Sequence, residues 1–367
     1  MGRDEKMDGE IKKWVAEEFE SLDFGSGRLE ERFKKAMSDM SEEPELSIWL
    51  ASGSRANAKA AYRMIANERC EKEEIMQAHR EATGNRNEAG VLLAIQDTMA
   101  VNYGGHEKTE GMGYNCEQTL GINCHSCILA TPSGVPIGVV AQSVTTRAER
   151  KDEKTHHEKR MRRIEEKESY RWLETMKTAG ANAPEQAKLI HIADREGDIY
   201  ELYALAESTG ESFVIRAAYD RLDSESNHII EELAKSGAVG KVKATIPANH
   251  KTKAKDREAE LSIRYRRFDV KKPQIRSGDN EMAASLSLNL VSVTEEDPPE
   301  GAEAIEWVLM TNLEVGTVEE AIQVVELYRQ RWKIERFHFV LKSGCEIEKI
   351  QQRSVEGIEL VILRECK

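Results

Sequence analysis

Two short apolar runs that each end in an aspartate constrain this chain more than any other feature. VLLAIQD closes at Asp97 and LIHIAD closes at Asp194. Apolar runs of this length, bounded by turn residues, read as buried or half-buried strands rather than helices. The same character recurs in CILATP and GVVAQSV from residue 127 onward, with Gly and Pro turns between the runs. A charged, helix-prone stretch follows from about Lys159 to Thr178. After LIHIAD come an amphipathic helix pattern, REGDIYELYALAES, and one more strand, SFVIRAA.

Three strands, a helix, a strand, a helix and a strand is the order of a ribonuclease H-like α/β core. The flanking sequence has a different texture. WVAEEFESLDF, RLEERFKKAMSDM and RANAKAAYRMIANE carry apolar residues at helical spacing, with a Gly-Ser-Gly break at Gly25–Gly27. Between Gly240 and Met310 the signal is strands again: KVKATIPA, AELSIRYRRFDV, SLSLNLVSV and IEWVLMT. Beyond Gly316 the pattern predicts one long helix, VEEAIQVVELYRQRWKIERFHFVLKSG. The expected layout is a helical module over 1–75, the first part of an α/β core over 76–239, a β-strand insertion over 240–310, and the rest of the core over 311–367.

Several classes are excluded or disfavoured. No run of 18 apolar residues exists, which excludes a spanning helix. The charged start MGRDEKMDGEIKKW lacks the apolar stretch of a signal peptide, so a cytoplasmic protein is expected. Six cysteines in 367 residues make no disulfide scaffold. Cys116, Cys124 and Cys127 with His125 invite a zinc reading, but one tight pair without a second leaves ordinary thiols as the alternative. The net charge of −13 looks wrong for a polyanion binder, so its distribution matters more. Ser277 to Tyr328 holds twelve acids and no Lys or Arg, which accounts for nearly the whole deficit. Lys241 to Arg276 holds twelve bases against four acids, and Tyr328 to Lys342 five against one. Basic stretches flanking an acidic one fit a polyanion groove, and equally a solvated face.

The chemistry rests on Asp97, Asp194 and Glu335. In open α/β sheets reactive groups gather at strand ends, and a helix can carry a third ligand over that edge. Three converging carboxylates repel one another unless divalent cations neutralise them. Mg²⁺ (or Mn²⁺) suits such a site, and a pair of ions there can serve a phosphodiester substrate. Taken singly, an Asp at a strand end is most often a turn or cap residue. The surroundings of Glu335 shift that balance. On a continuous helix Tyr328, Arg331, Glu335 and Lys342 fall within an arc of about 60° on one face. A carboxylate, two cations and a phenol make a poor core surface and a plausible phosphate-and-metal surface. Charge pairing along an exposed helix is the plain alternative.

Here the sequence resembles a known family. Y-x2-R-x3-E-x6-K, standing as Tyr328, Arg331, Glu335 and Lys342, is similar to the signature of bacterial insertion-sequence transposases of the DDE type. The group includes the transposase of the kanamycin-resistance composite transposon. IQDT around Asp97, DRE-x-DIY from Asp194, IEWVLMT and YRQRWKIERFH resemble the same group, and the likeness runs from about Gly53 to Lys349.

The resemblance implies cut-and-paste transposition: metal-dependent cleavage of transposon ends through a hairpin, then joining to target DNA. It implies Asp97, Asp194 and Glu335 as ligands of Mg²⁺ or Mn²⁺, in two ions. Arg331 and Lys342 would hold phosphates, and Tyr328 would support one near a flipped base. Trp307 matches the aromatic that receives the base, although a core tryptophan is its other reading. Arg195 and Arg216 are candidate DNA-backbone contacts. Arg28, Arg32 and Arg63 are candidates for end recognition by the N-terminal helices. The family works as a homodimer on DNA and continues beyond the point where this sequence stops. A truncated end-binding regulator or inhibitor is therefore the second expectation, and a general ribonuclease H-like nuclease the third.

Overall fold

The computed structural model describes residues 11–86, 90–105, 107–148, 162–184, 186–246, 257–273, 282–299 and 304–365. Its first elements are helices: α1 (Lys13–Glu18), α2 (Gly27–Met40), α3 (Ile48–Ala51), α4 (Arg55–Ile65) and α5 (Lys72–Asn85). They close around a core of their own. Phe33 of α2 meets Phe19 edge-on at 4.8 Å and Phe24 at 5.7 Å, with Val15, Met37, Met64 and Ile75 packed about them. α4 ends at Ile65, earlier than its apolar pattern suggests. α5 runs straight through the expected boundary at residue 75 and docks the module on the sheet. Arg80 Nε donates to the Val140 carbonyl at 3.0 Å, and the Val139 N–H donates to His79 Nε2 at 3.0 Å.

One sheet of ten strands runs through the rest. Its first part comprises β1 (Val91–Asn102), β2 (Gly113–Tyr114), β3 (Leu120–Ala130), β4 (Pro136–Thr145), β5 (Lys188–Ala193) and β6 (Ser212–Arg216). β1 pairs antiparallel with β3 and β3 with β4, whereas β5 lies parallel to β1 and β6 parallel to β5. The order β4-β3-β1-β5-β6 with these directions is the ribonuclease H-like arrangement. The expected strand region forms no separate layer. β7 (Gly240–Ile246), β8 (Arg257–Lys271), β9 (Ser285–Glu295) and β10 (Glu306–Thr311) make an antiparallel run whose last strand pairs with β6.

Side-chain alternation along β1 divides the interior. Leu93 and Ile95 join Ile190, Ile192, Ile334 and Leu341 on one face, under α9 (Val318–Arg329) and α10 (Trp332–Phe339). Leu92 and Ala94 join Leu189 and Ala179 on the other, under α6 (Tyr170–Asn182). α7 (Tyr200–Thr209) and α8 (Ile229–Ala234) cover that second face farther along, and α11 (Val355–Glu365) returns to the first. Among the described residues no helix is long and apolar enough to cross a membrane.

Two helix expectations need correction. The stretch after Asp194 is a 3-10 turn over Arg195–Gly197 before α7 begins at Tyr200. A Cβ at Gly197 would lie 2.6 Å from the Ala193 Cβ, so the chain folds back there only with glycine. The long helix expected after Gly316 is broken. α9 starts in a capping box made by Thr317 and Glu320 and ends at Arg329. Across the junction the hydrogen bonds shorten to three-residue spacing: Gln330 N–H to Leu327 O, Arg331 N–H to Tyr328 O, Lys333 N–H to Gln330 O. α10 then widens into a π-helical turn over Val340–Gly344. Gln330 and Arg331 keep helical backbone angles through this tightened junction, so Tyr328 at the end of α9 still bonds Arg331, which pairs with Glu335 in α10.

Candidate active site

The parallel register of β1 and β5 brings the aspartates together. Ile95 pairs with Ile192, and Asp97 and Asp194 each lie two positions farther on, on the same face and at the same level. That face is the one under α10. Glu335, in the first turn of α10, is half-buried there and forms an ion pair with Arg331. Arg331 Nη1 also lies 3.6 Å from Asp97 Oδ2. Burial pushes the Asp97 carboxyl up to about 7, helped by the charge of Asp194 and less by Glu335. The Thr98 N–H, 2.7 Å from Asp97 Oδ1, and Arg331 pull the other way.

As placed, these groups hold no assembled metal cage. Among the described residues no three His, Cys, Asp or Glu side chains are grouped to hold an ion, and Glu335 is turned onto Arg331. The donor set still fits a hard divalent cation. The carboxylates offer oxygen ligands at one sheet edge, and burial first, then their mutual repulsion, raises Asp97. Opening the Arg331–Glu335 pair would free the third.

The remaining expected residues divide. Tyr328 is 4% exposed, so the phenol belongs to the core rather than to the open surface that the stripe implied. Its hydroxyl is shared between Arg331 and Arg216, and its ring meets Trp307 edge-on at 5.5 Å. Trp307 is half-buried on β10, and Arg216 donates to the Glu306 carbonyl at 2.8 Å. Lys342 lies in the π-turn, 3.6 Å from Glu348. Arg195 is exposed beside Asp194, and Arg28, Arg32 and Arg63 are exposed on α2 and α4. Cys124 and Cys127 are buried on opposite faces of β3, so they cannot share one ion. Burial pushes the Cys124 thiol up to about 12. Cys366 lies outside the described residues.

Arg171 had no signal in the pattern, while Glu196 and the 48% exposed Trp332 stood inside quoted motifs without a role of their own. Trp332 lies one turn from Glu335 on the outward side of α10, where an aromatic has no core to fill.

Residues 97–365 match the family described as Transposase DDE domain, and residues 11–70 match Transposase DNA-binding. The chain belongs to the DDE transposase family. DDE transposase domains generally use divalent metal ions, and the match over residues 11–70 makes DNA a partner and the helical module the DNA-binding part. Among solved structures, this transposase is similar to the piggyBac transposase synaptic complex with hairpin DNA, determined by cryo-EM. The identity is 10% and the TM-score 0.43, over 99% of this chain and 67% of that one.

Proposed function

We propose that Asp97, Asp194 and Glu335 are the metal-binding carboxylates of a cut-and-paste transposase of the insertion-sequence type carrying Tyr328, Arg331, Glu335 and Lys342 as its signature. The observation that carries this reading is the β1–β5 register, which sets two carboxylates side by side beneath a third on α10. Mg²⁺ or Mn²⁺ held by these groups would supply activation of the attacking oxygen and stabilisation of the leaving one.

The protein's own groups do the rest. Arg331 spans Asp97 and Glu335 and, once that pair opens, offers a planar guanidinium to a phosphate beside the carboxylates. Tyr328 orients it from the core, holding Arg331 and Arg216 through one hydroxyl. Lys342 adds a second cation on the same side, with Glu348 as its partner at rest. Arg195 is open to a DNA backbone next to Asp194. Trp307 stands at the rim of the site, where a displaced base would stack if cleavage passes through a hairpin. Two copies of the chain, one at each transposon end, complete the proposed working assembly.

Cleavage and binding assays on end DNA separate this reading from an end-binding regulator. Asp97→Ala, Asp194→Ala and Glu335→Ala should each abolish strand cleavage and leave end binding nearly unchanged, because phosphate and base contacts supply affinity. A Glu335→Ala protein that still nicks DNA would remove Glu335 from the site. A wild-type chain that binds ends without cutting in Mg²⁺ or Mn²⁺ would favour the regulator.

A further inference from the structure

The hydrogen-bonded ladder between β1 and β5 stops short of the two aspartates. Its last pair is Ile95 with Ile192, and β5 ends at Ala193. Asp194 therefore follows the strand without a cross-strand bond to fix its distance from Asp97. Something else must hold the two strand ends in step, and alternation places the means behind the sheet. Asp97 points toward α10, so Thr98 points the opposite way, toward α6.

Arg171, in the first turn of α6, occupies that position. Its Nε donates to Thr98 Oγ1 at 3.0 Å, and its Nη2 donates to Glu196 Oε2 at 2.9 Å. The third arm, Nη1, is anchored on the Glu168 carbonyl at 3.0 Å. One guanidinium thus ties the residue after the first aspartate to the second residue after the other. Both ties continue into the carboxylates through the backbone. The Thr98 N–H donates to Asp97 Oδ1 at 2.7 Å, and the Glu196 N–H donates to Asp194 Oδ1 at 2.8 Å. The Arg171 side chain is 14% exposed. Its neighbour Trp172 is fully buried against His125, whose Nδ1 lies 2.8 Å from the same Thr98 hydroxyl. The fork is therefore locked from the core side.

We propose that Arg171 is a positioning residue that sets the spacing of Asp97 and Asp194 from behind the sheet, and with it the affinity of the site for divalent metal. This rests on the reading of both aspartates as metal ligands. Arg171 touches neither substrate nor metal. A lysine there brings a single ammonium, which cannot bridge Thr98 and Glu196 while keeping the Glu168 anchor.

Mn²⁺ titration of the full chain without DNA, by calorimetry, is the test. Arg171→Met and Glu196→Gln should each weaken Mn²⁺ binding about tenfold, the lower end of the usual cost of losing a group that orients a ligand. The double variant should bind no worse than either single one, since both remove one bridge. Arg171→Lys should recover part of the loss. In cleavage assays the half-saturating Mg²⁺ concentration should rise by a similar factor, with the rate at saturating metal near wild type. Glu196 is 56% exposed, so its variant should fold even if Arg171→Met does not, and it then decides alone. Wild-type Mn²⁺ affinity in Glu196→Gln, or losses that multiply in the double variant, would overturn the bridge. Asp97→Ala and Asp194→Ala serve as the reference. If they bind Mn²⁺ normally, the ligand reading fails and takes the bridge with it. If they lose binding while Glu196→Gln keeps it, only the bridge fails.

Discussion

Arg331 Nη1 lies 3.6 Å from Asp97 Oδ2 while the same guanidinium pairs with Glu335, so a single cation neutralises the first and third carboxylates of the site. Among the described residues Asp194 has no such ion pair, and its charge adds to the burial that lifts the Asp97 carboxyl to about 7. The resting site is thus held together by an arginine where the working site would be held by metal.

A pH dependence of stability follows from the raised Asp97. The folded pKa of about 7 exceeds the ordinary value of 3.8. The native state therefore binds this proton more tightly than the unfolded chain, and stability falls as pH rises from 3.8 through about 7. Metal-free protein should melt at a lower temperature above that window than within it. Added Mn²⁺ should restore the melting temperature most at high pH, and Asp97→Asn should flatten the profile. A wild-type melting curve that ignores metal at every pH would contradict the placement of Asp97.

Trp307→Ala should slow hairpin formation more than first-strand nicking. Stacking a displaced base on an aromatic contributes about 1–3 kcal/mol, and only the hairpin step needs the base displaced. Because the ring also meets Tyr328 edge-on, Trp307→Phe is the companion variant and should keep most of the hairpin rate. Equal slowing of both steps, accompanied by a lowered melting temperature, would make Trp307 a packing residue.

The contact between α1 and α5 inside the helical module should loosen in acid. Burial raises the Glu18 carboxyl, but hydrogen bonds from His79 and Arg86 and their charges outweigh it and lower the group to about 2 from 4.5. A depressed carboxylate stabilises fully above 4.5 and loses that contribution as pH falls toward 2. Glu18→Gln should lose about 1–2 kcal/mol of α1–α5 contact, chiefly through the buried His79, because the half-exposed Arg86 can turn to water. Hydrogen exchange over residues 11–86 should then quicken while β1 and β5 stay protected. Unchanged exchange in the module would show that apolar packing alone holds it.

Arg28, Arg32 and Arg63 are exposed on two packed helices of the DNA-binding part. Each changed to Ala should weaken end binding and reduce the salt slope of log K by about 1 if it neutralises a phosphate. A variant that weakens binding on cognate ends only, with the slope intact, would instead mark a base contact.

Much of the site was legible because strands report themselves locally. VLLAIQD and LIHIAD announce buried strands, and an acid at the end of each is visible without knowing the partner strand. Asp97 and Asp194 could be named that way, whereas Glu335 was singled out by its helical spacing with Tyr328, Arg331 and Lys342. The broken helix was not legible. The helical spacing of apolar residues runs unbroken from Val318 to Leu341, and the break at Gln330–Arg331 comes from long-range demands. Tyr328 must enter the core against Trp307, while Arg331 must reach Asp97 on another element. Arg171 was equally hidden. It lies in a run of charges where its spacing signals only a solvated helix, and its partners stand 73 and 25 residues away.

The sequence by itself determined the kinds of elements and the chemical identity of the groups, since turn signals, apolar period and carboxylate type are properties of neighbouring residues. Tertiary structure alone decided which of those groups meet. The parallel pairing of Ile95 with Ile192 sets the aspartates level, and the packing of α10 over that face brings Glu335 to Arg331 beside Asp97. Local periodicity carries no term for register between distant strands, and burial of a polar side chain such as Tyr328 is settled only when the far side of the core arrives.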